Sequence, residues 1–166
     1  MIDSTGRRSV LFICTANQCR SPMAEALLKS IVTQKGVADR WDIHSAGTWT
    51  EPGRPATALA RAVMRQRQLD LSAHRSRPLD AQQLESADIV LVMTHHHQEA
   101  IQAEWPAVSH KVYLLTHLIE CDYDIDDPYG GSLEDYELCA ADLEGILSAG
   151  YARLVALLDQ AVSACP

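Results

Sequence analysis

A chain of 166 residues with 47% hydrophobic content can bury one core and is short for two full domains. Its formal net charge of −8 argues against nucleic acid and anionic membrane surfaces as partners, and no apolar run approaches the length of a membrane span or a secretory leader. The five cysteines (14, 19, 121, 139 and 165) are odd in number and lack Cys-x-x-Cys spacing, which fits reduced thiols and a cytoplasmic location.

Residues 1–8 are polar and are expected to form a flexible tail on a single domain spanning 1–166. Ser9 to Thr15 is a short apolar run of the kind found in a buried strand. A helix is predicted over 22–34, entered through Pro22 and closed by Lys35-Gly36. A second strand, 42–46, leads into a Pro/Gly-rich loop over 47–55. Residues 55–68 form a helix with Ala56, Leu59, Ala60, Val63 and Met64 on one face. A short helix near 80–86 precedes the clearest strand, 87–93; a helix over 95–104 and a strand over 111–115 follow. Residues 120–132 are an acidic loop, and one last helix carries Leu143, Ile146, Leu147, Tyr151, Leu154, Leu157, Leu158 and Val162 at core spacing. Strands alternating with helices predict an α/β fold: a doubly wound, four-stranded parallel sheet with helices on both faces and its ligand at the strand C-termini.

The densest chemistry lies in Cys14-Thr15-Ala16-Asn17-Gln18-Cys19-Arg20-Ser21, between the first strand and the first helix. A tight strand-to-helix loop gathers backbone N–H groups at the positive end of a helix dipole, so it is an anion site, and phosphate is the usual guest. The same groups favour the thiolate of Cys14 as a nucleophile. Arg20 can grip two phosphate oxygens with its planar fork, which Lys cannot copy. Ser21 can donate its hydroxyl to the sulfur, and Asn17 tolerates a left-handed turn. A cysteine at a strand end is ordinarily an inert small hydrophobe; Arg20, Ser21 and the local context reverse that reading. No glycine-rich nucleotide loop occurs. The run His95-His96-His97 lacks partners for a metal set and reads as a helix entry or surface cluster; neither metal nor cofactor is expected.

Val10-Leu11-Phe12-Ile13-Cys14-x5-Arg20-Ser21-Pro22-Met23-Ala24-Glu25 resembles the opening of the low-molecular-weight protein tyrosine phosphatase family. Ser45-Ala46-Gly47-Thr48, Ala87 to Thr94 and Asp127-Pro128-Tyr129 resemble later family motifs in family order, over about residues 9–160. The resemblance implies a phosphocysteine mechanism on phosphorylated protein substrates. Cys14 is the nucleophile, Arg20 and the loop residues Thr15, Ala16, Asn17, Gln18, Cys19 and Ser21 hold the phosphate, and Asp127 is the acid. Asp126 is a rival for the last role; Pro128 favours Asp127 by restricting the residue before it. Asp122, Asp124 and Asp126 put like charge nearby. Trp49 and Tyr129 are the expected aromatic walls, with Trp49 alternatively a cover for the core. Cys19 is the expected partner that traps an oxidised Cys14 as a disulfide.

The resemblance extends to the bacterial branch that includes protein arginine phosphatases. Gly130 stands where tyrosine-directed members often carry a second aromatic, Gln18 matches neither pattern, and Ala16 replaces the usual Gly. More distant readings are a thiol-coupled arsenate reductase, relaying through Cys121 or Cys139, and a non-catalytic phosphopeptide-binding module.

Overall fold

The structure, a computed structural model, describes residues 6–163. Four parallel strands, β1 (Arg8–Cys14), β2 (Trp41–Gly47), β3 (Ile89–Val92) and β4 (Val112–Leu114), pair in the order β2-β1-β3-β4. Alternation in β1 sends Val10, Phe12 and Cys14 to one core and Leu11 and Ile13 to the other. The strand is buried on both faces, which is why it reads as an unbroken apolar run.

One core receives α1 (Arg20–Gln34), α2 (Ala58–Gln66), α5 (Leu133–Ala149) and α6 (Tyr151–Ser163), with Met23, Leu28, Met64, Leu143 and Leu154 packed under the sheet. The other receives α3 (Ala81–Ser86) through Leu84 and α4 (His95–Glu104) through Ile101. The doubly wound sheet is as expected. The chain leaves β1 toward β2 on one side and meets β3 on the other, so the C-terminal end of β1 is the switch point where such sheets open a crevice.

Most boundaries shift by one or two residues, and four differences have a cause or a consequence. The tail lies mostly outside the described residues, but Arg8 already belongs to β1, paired with Trp41, and Arg7 Nη2 donates to the Trp41 carbonyl at 2.9 Å. The second helix starts at Ala58 rather than at 55, because Thr57 caps it by accepting the Ala60 N–H. β4 spans three residues, with Leu115 starting a short 3₁₀ segment. The last helix is two helices, broken at Gly150, where a Cβ would fall 2.6 Å from the Leu118 Cβ. The Val162 side chain lies outside the described residues.

Candidate active site

Cys14 ends β1 and Arg20 opens α1, so the loop between them sits at the sheet's switch point with the helix N-terminus beneath it. Four loop carbonyls are bound from outside. Thr48 N–H donates to Cys14 O, Trp49 N–H to Thr15 O, and Thr57 N–H to Gln18 O, each at 3.0 Å, while His74 Nε2 donates to Asn17 O at 2.7 Å. In a trans peptide the C=O and the following N–H point opposite ways. Anchoring these carbonyls therefore turns the N–H groups of Thr15, Ala16, Gln18 and Cys19 inward, toward a guest anion. Asn17 takes the left-handed conformation, φ 53°. Ala16 does not, so a Cβ at that position carries no backbone strain.

Gly47 makes this packing possible. A Cβ there would lie 2.6 Å from the Thr15 carbonyl oxygen and 3.1 Å from the Asn17 Cβ. Gly47→Ala is expected to destabilise the fold by about 1–3 kcal/mol through overpacking. It should also lower turnover more than tenfold, because the loop is what must shift; thermal unfolding and kcat check both.

Beneath the loop runs a chain of hydrogen bonds with a fixed direction. Arg77 N–H donates to Asn17 Oδ1 at 2.9 Å, which orients the amide. Asn17 Nδ2 then donates to Ser21 Oγ at 2.9 Å and to Ser45 Oγ at 2.8 Å, and Ser45 passes its own proton to Glu25 at 2.5 Å. Ser21 Oγ, already an acceptor, can turn its hydroxyl proton to Cys14 Sγ, 3.0 Å away, or to the Ala46 carbonyl at 3.5 Å. Asn17, Ser21 and Ser45 are fully buried. The arrangement offers the sulfur a donor, which suits a thiolate both as nucleophile and as leaving group.

Arg20 is buried, donating through Nη1 to the Ile125 carbonyl at 3.0 Å and through Nη2 to Asp127 Oδ2 at 2.8 Å. The like-charge crowding expected around Asp127 is thus replaced by an ion pair. Asp124 and Asp122 are drawn off to His95, whose Nδ1 lies 2.6 Å from one and whose Nε2 lies 2.8 Å from the other; His117 reaches Asp122 at 3.1 Å. Asp127 lines the cleft above the loop. Asp126 does not, and belongs to a separate depression over α5.

The His95 clasp ties the acidic loop to the start of α4. Its two carboxylates raise the His95 pKa; hydrogen bonds from His117 and then from His95 lower that of Asp122, and the His95 backbone N–H and imidazole lower that of Asp124. The His95 contribution is complete below the ordinary histidine value and fades as pH rises through the raised one. The Asp contributions are complete above the ordinary carboxylate range and fade as pH falls through the lowered values. The amide resonances of residues 120–126 should accordingly titrate with a midpoint above 6.5, and His95→Ala should abolish that titration.

The three histidines therefore serve different ends. His96 stays outside both contacts, and His97 is buried between Thr15 Oγ1 and Thr94 Oγ1, each 2.9 Å from a ring nitrogen. Burial and the nearby Arg20 charge lower its pKa to about 4, so it braces the loop as a neutral imidazole. The sequence reading missed this. The signal was Thr94 three residues before His97, the spacing of an N-cap. His74 offered no such signal.

The cleft measures about 980 Å³ and is lined by Cys14, Thr15, Ala16, Gln18, Cys19, Arg20, Trp49, Asp127 and Tyr129; Asn17 and Ser21 lie beneath it. Trp49 is 83% exposed, so it is a cleft wall and not a cover for the core, and Tyr129 at 69% faces it. Cys19 is buried, with Sγ 3.3 Å from Tyr136 Oη and 3.5 Å from Thr57 Oγ1, and burial raises its pKa. Cys139 is buried and pushed up to about 12, which leaves it no thiolate for an arsenate relay; Cys121 is exposed on the acidic loop. Cys165 lies outside the described residues. The lining residues that sequence reading did not single out are Thr50, Glu51, Arg54, Pro55, Thr57, Ala58 and Arg61, from the end of the β2 loop and the first turns of α2.

A buried thiol with a hydroxyl donor, a guanidinium and a carboxylate over one oxyanion cradle define a thiol-based phosphoryl-handling protein. Residues 9–160 match the family described as low molecular weight phosphotyrosine protein phosphatase, and the chain belongs to it. It is 38% identical to a protein-arginine-phosphatase of Bacillus subtilis over 83% of this chain and 91% of that one. It is 35% identical to a probable low molecular weight protein-tyrosine-phosphatase, EpsP, of Ralstonia solanacearum over 90% and 98% of the two chains. The crystal structure of a YwlE mutant from Bacillus subtilis superposes with a TM-score of 0.84 at 36% identity, covering 89% of this chain and 98% of that one.

Proposed function

We propose that the chain is one phosphatase domain that hydrolyses phosphotyrosine on proteins through a phosphocysteine intermediate. The observation that carries it is the gathering of Cys14, Ser21, Arg20 and Asp127 at one cleft, with the loop carbonyls tied outward. Cys14 attacks phosphorus in line, while Arg20 and the inward N–H groups take the charge on the equatorial oxygens. A phosphate that occupies both Arg20 nitrogens displaces Asp127 from the guanidinium. The freed carboxylate, no longer held by the guanidinium and set against the phosphate, takes up a proton from solvent, gives it to the leaving oxygen and later takes one from the water that clears the intermediate. Cys19, protonated by its burial, acts only once Cys14 is oxidised, condensing with the sulfenic acid to a disulfide. No helix among the described residues is long and apolar enough to cross a membrane, and the four described cysteines are free thiols, which supports a cytoplasmic site of action.

The arginine phosphatase reading is favoured by the 38% identity to the Bacillus subtilis protein and by Gly130 in place of a second aromatic. The charges of the cleft favour tyrosine. Its lining holds Arg20, Arg54 and Arg61 against Glu51 and Asp127, and both carboxylates are already paired. A guanidinium substrate meets Asp127 alone, once the phosphate has displaced it, with Arg54 and Arg61 as like charges in the same lining, whereas a neutral ring fits between Trp49 and Tyr129. Matched phosphotyrosine and phosphoarginine peptides should differ in kcat/KM by about tenfold or more in favour of tyrosine, about 1.4 kcal/mol in the transition state. A preference for phosphoarginine reverses the assignment.

A further inference from the structure

Five charged side chains line the cleft, and four are paired: Arg20 with Asp127 at 2.8 Å, and Arg54 with Glu51. The fifth is Arg61. Among the described residues its guanidinium makes neither a hydrogen bond nor an ion pair, and its Nε is buried without a partner. An unmet buried donor is costly and is rarely kept without a use. Arg61 lies one helical turn beyond Thr57 and Ala58 on the ridge of α2 that borders the cleft, while Ala60, Val63 and Met64 face the core. It shares the lining of the cleft with Trp49, Pro55 and Ala56, apolar residues that offer a cation no partner.

We infer that Arg61 is a specificity-determining residue that receives an acidic side chain, Asp or Glu, flanking the phosphorylated residue of the substrate protein. This rests on the phosphatase reading. The reacting phosphate already has Arg20 and the loop amides, so Arg61 serves a second anionic group. A planar fork with open donors is matched by a carboxylate. The chain's net charge of −8 repels acidic peptides overall, so a local unpaired cation is what admits them.

The test uses three phosphotyrosine peptides whose flanking positions carry Glu, Ala or Lys. For the unaltered protein, kcat/KM on the Glu peptide should exceed that on the Ala peptide about tenfold. The ratio should shrink as salt rises from about 50 to 500 mM. In Arg61→Gln the ratio should fall to within about twofold, Arg61→Lys should restore part of it, and Arg61→Glu should prefer the Lys peptide. A reversed preference is gained only by a folded enzyme, so misfolding cannot imitate it. A flat ratio in the unaltered protein overturns the inference, as does a ratio that survives in Arg61→Gln. An equal loss on all three peptides overturns it too, by assigning Arg61 to the reacting phosphate. Absence of turnover on every peptide would defeat the phosphatase reading instead. In that event calorimetric binding of the same peptides to the Cys14→Ser variant decides the Arg61 inference separately.

Discussion

Cys14→Ser is expected to lower kcat on p-nitrophenyl phosphate by about 10,000-fold, roughly 5.5 kcal/mol of transition-state stabilisation. The exchange keeps the shape of a buried side chain at the floor of the cleft, and Ser21 Oγ, 3.0 Å from the sulfur, remains a partner for the new hydroxyl. The fold and the oxyanion cradle should therefore persist, with inorganic phosphate bound within a few-fold of the unaltered affinity and a thermal transition close to the original. Loss of turnover with binding intact separates a nucleophile from a structural cysteine. A variant that kept a tenth of its activity would remove Cys14 from the reaction. Phosphate binding without turnover in the unaltered protein would leave only a phosphopeptide-binding module.

The anion loop was legible because its chemistry is local: thiol, turn-forming Asn, guanidinium and hydroxyl lie within eight consecutive residues. The sheet was legible for a related reason, since β1 and β3 are buried on both faces and admit little but aliphatic residues. The supports of the loop were not legible. Ser45, His74, Arg77 and His97 reach it from three other segments, and of the four only His97 carried a local cue, its N-cap spacing from Thr94. The break at Gly150 was hidden because apolar periodicity runs straight through it, and the close approach that requires glycine there is to Leu118, a residue remote in the chain. Asp127 was separable from Asp126 only through Pro128. Arg61 carries no sequence signal at all, because its lack of a partner exists only once Glu51 and Asp127 have been claimed by other arginines.

Asp127→Asn is expected to act in opposite directions on chemistry and on binding. Turnover of phosphotyrosine peptides should fall by about 100- to 10,000-fold, the range for loss of a positioned proton donor. The fall should be smaller for p-nitrophenyl phosphate, whose leaving group departs readily without a proton, and larger for phenyl phosphate. Oxyanion affinity should rise over the same change. In the unaltered protein Arg20 Nη2 is held by Asp127 at 2.8 Å, and a phosphate must break that contact and then lie against a carboxylate. The Asp127 side chain is 47% exposed, so the pair is worth only about 0.2–1 kcal/mol. Removing the charge should therefore tighten inhibition by inorganic phosphate by up to about fivefold. A catalytic acid paired with the phosphate-binding guanidinium predicts both effects in one variant. An acid that merely stood near the cleft would lower kcat and leave phosphate inhibition where it was, and Asp126→Asn should change neither.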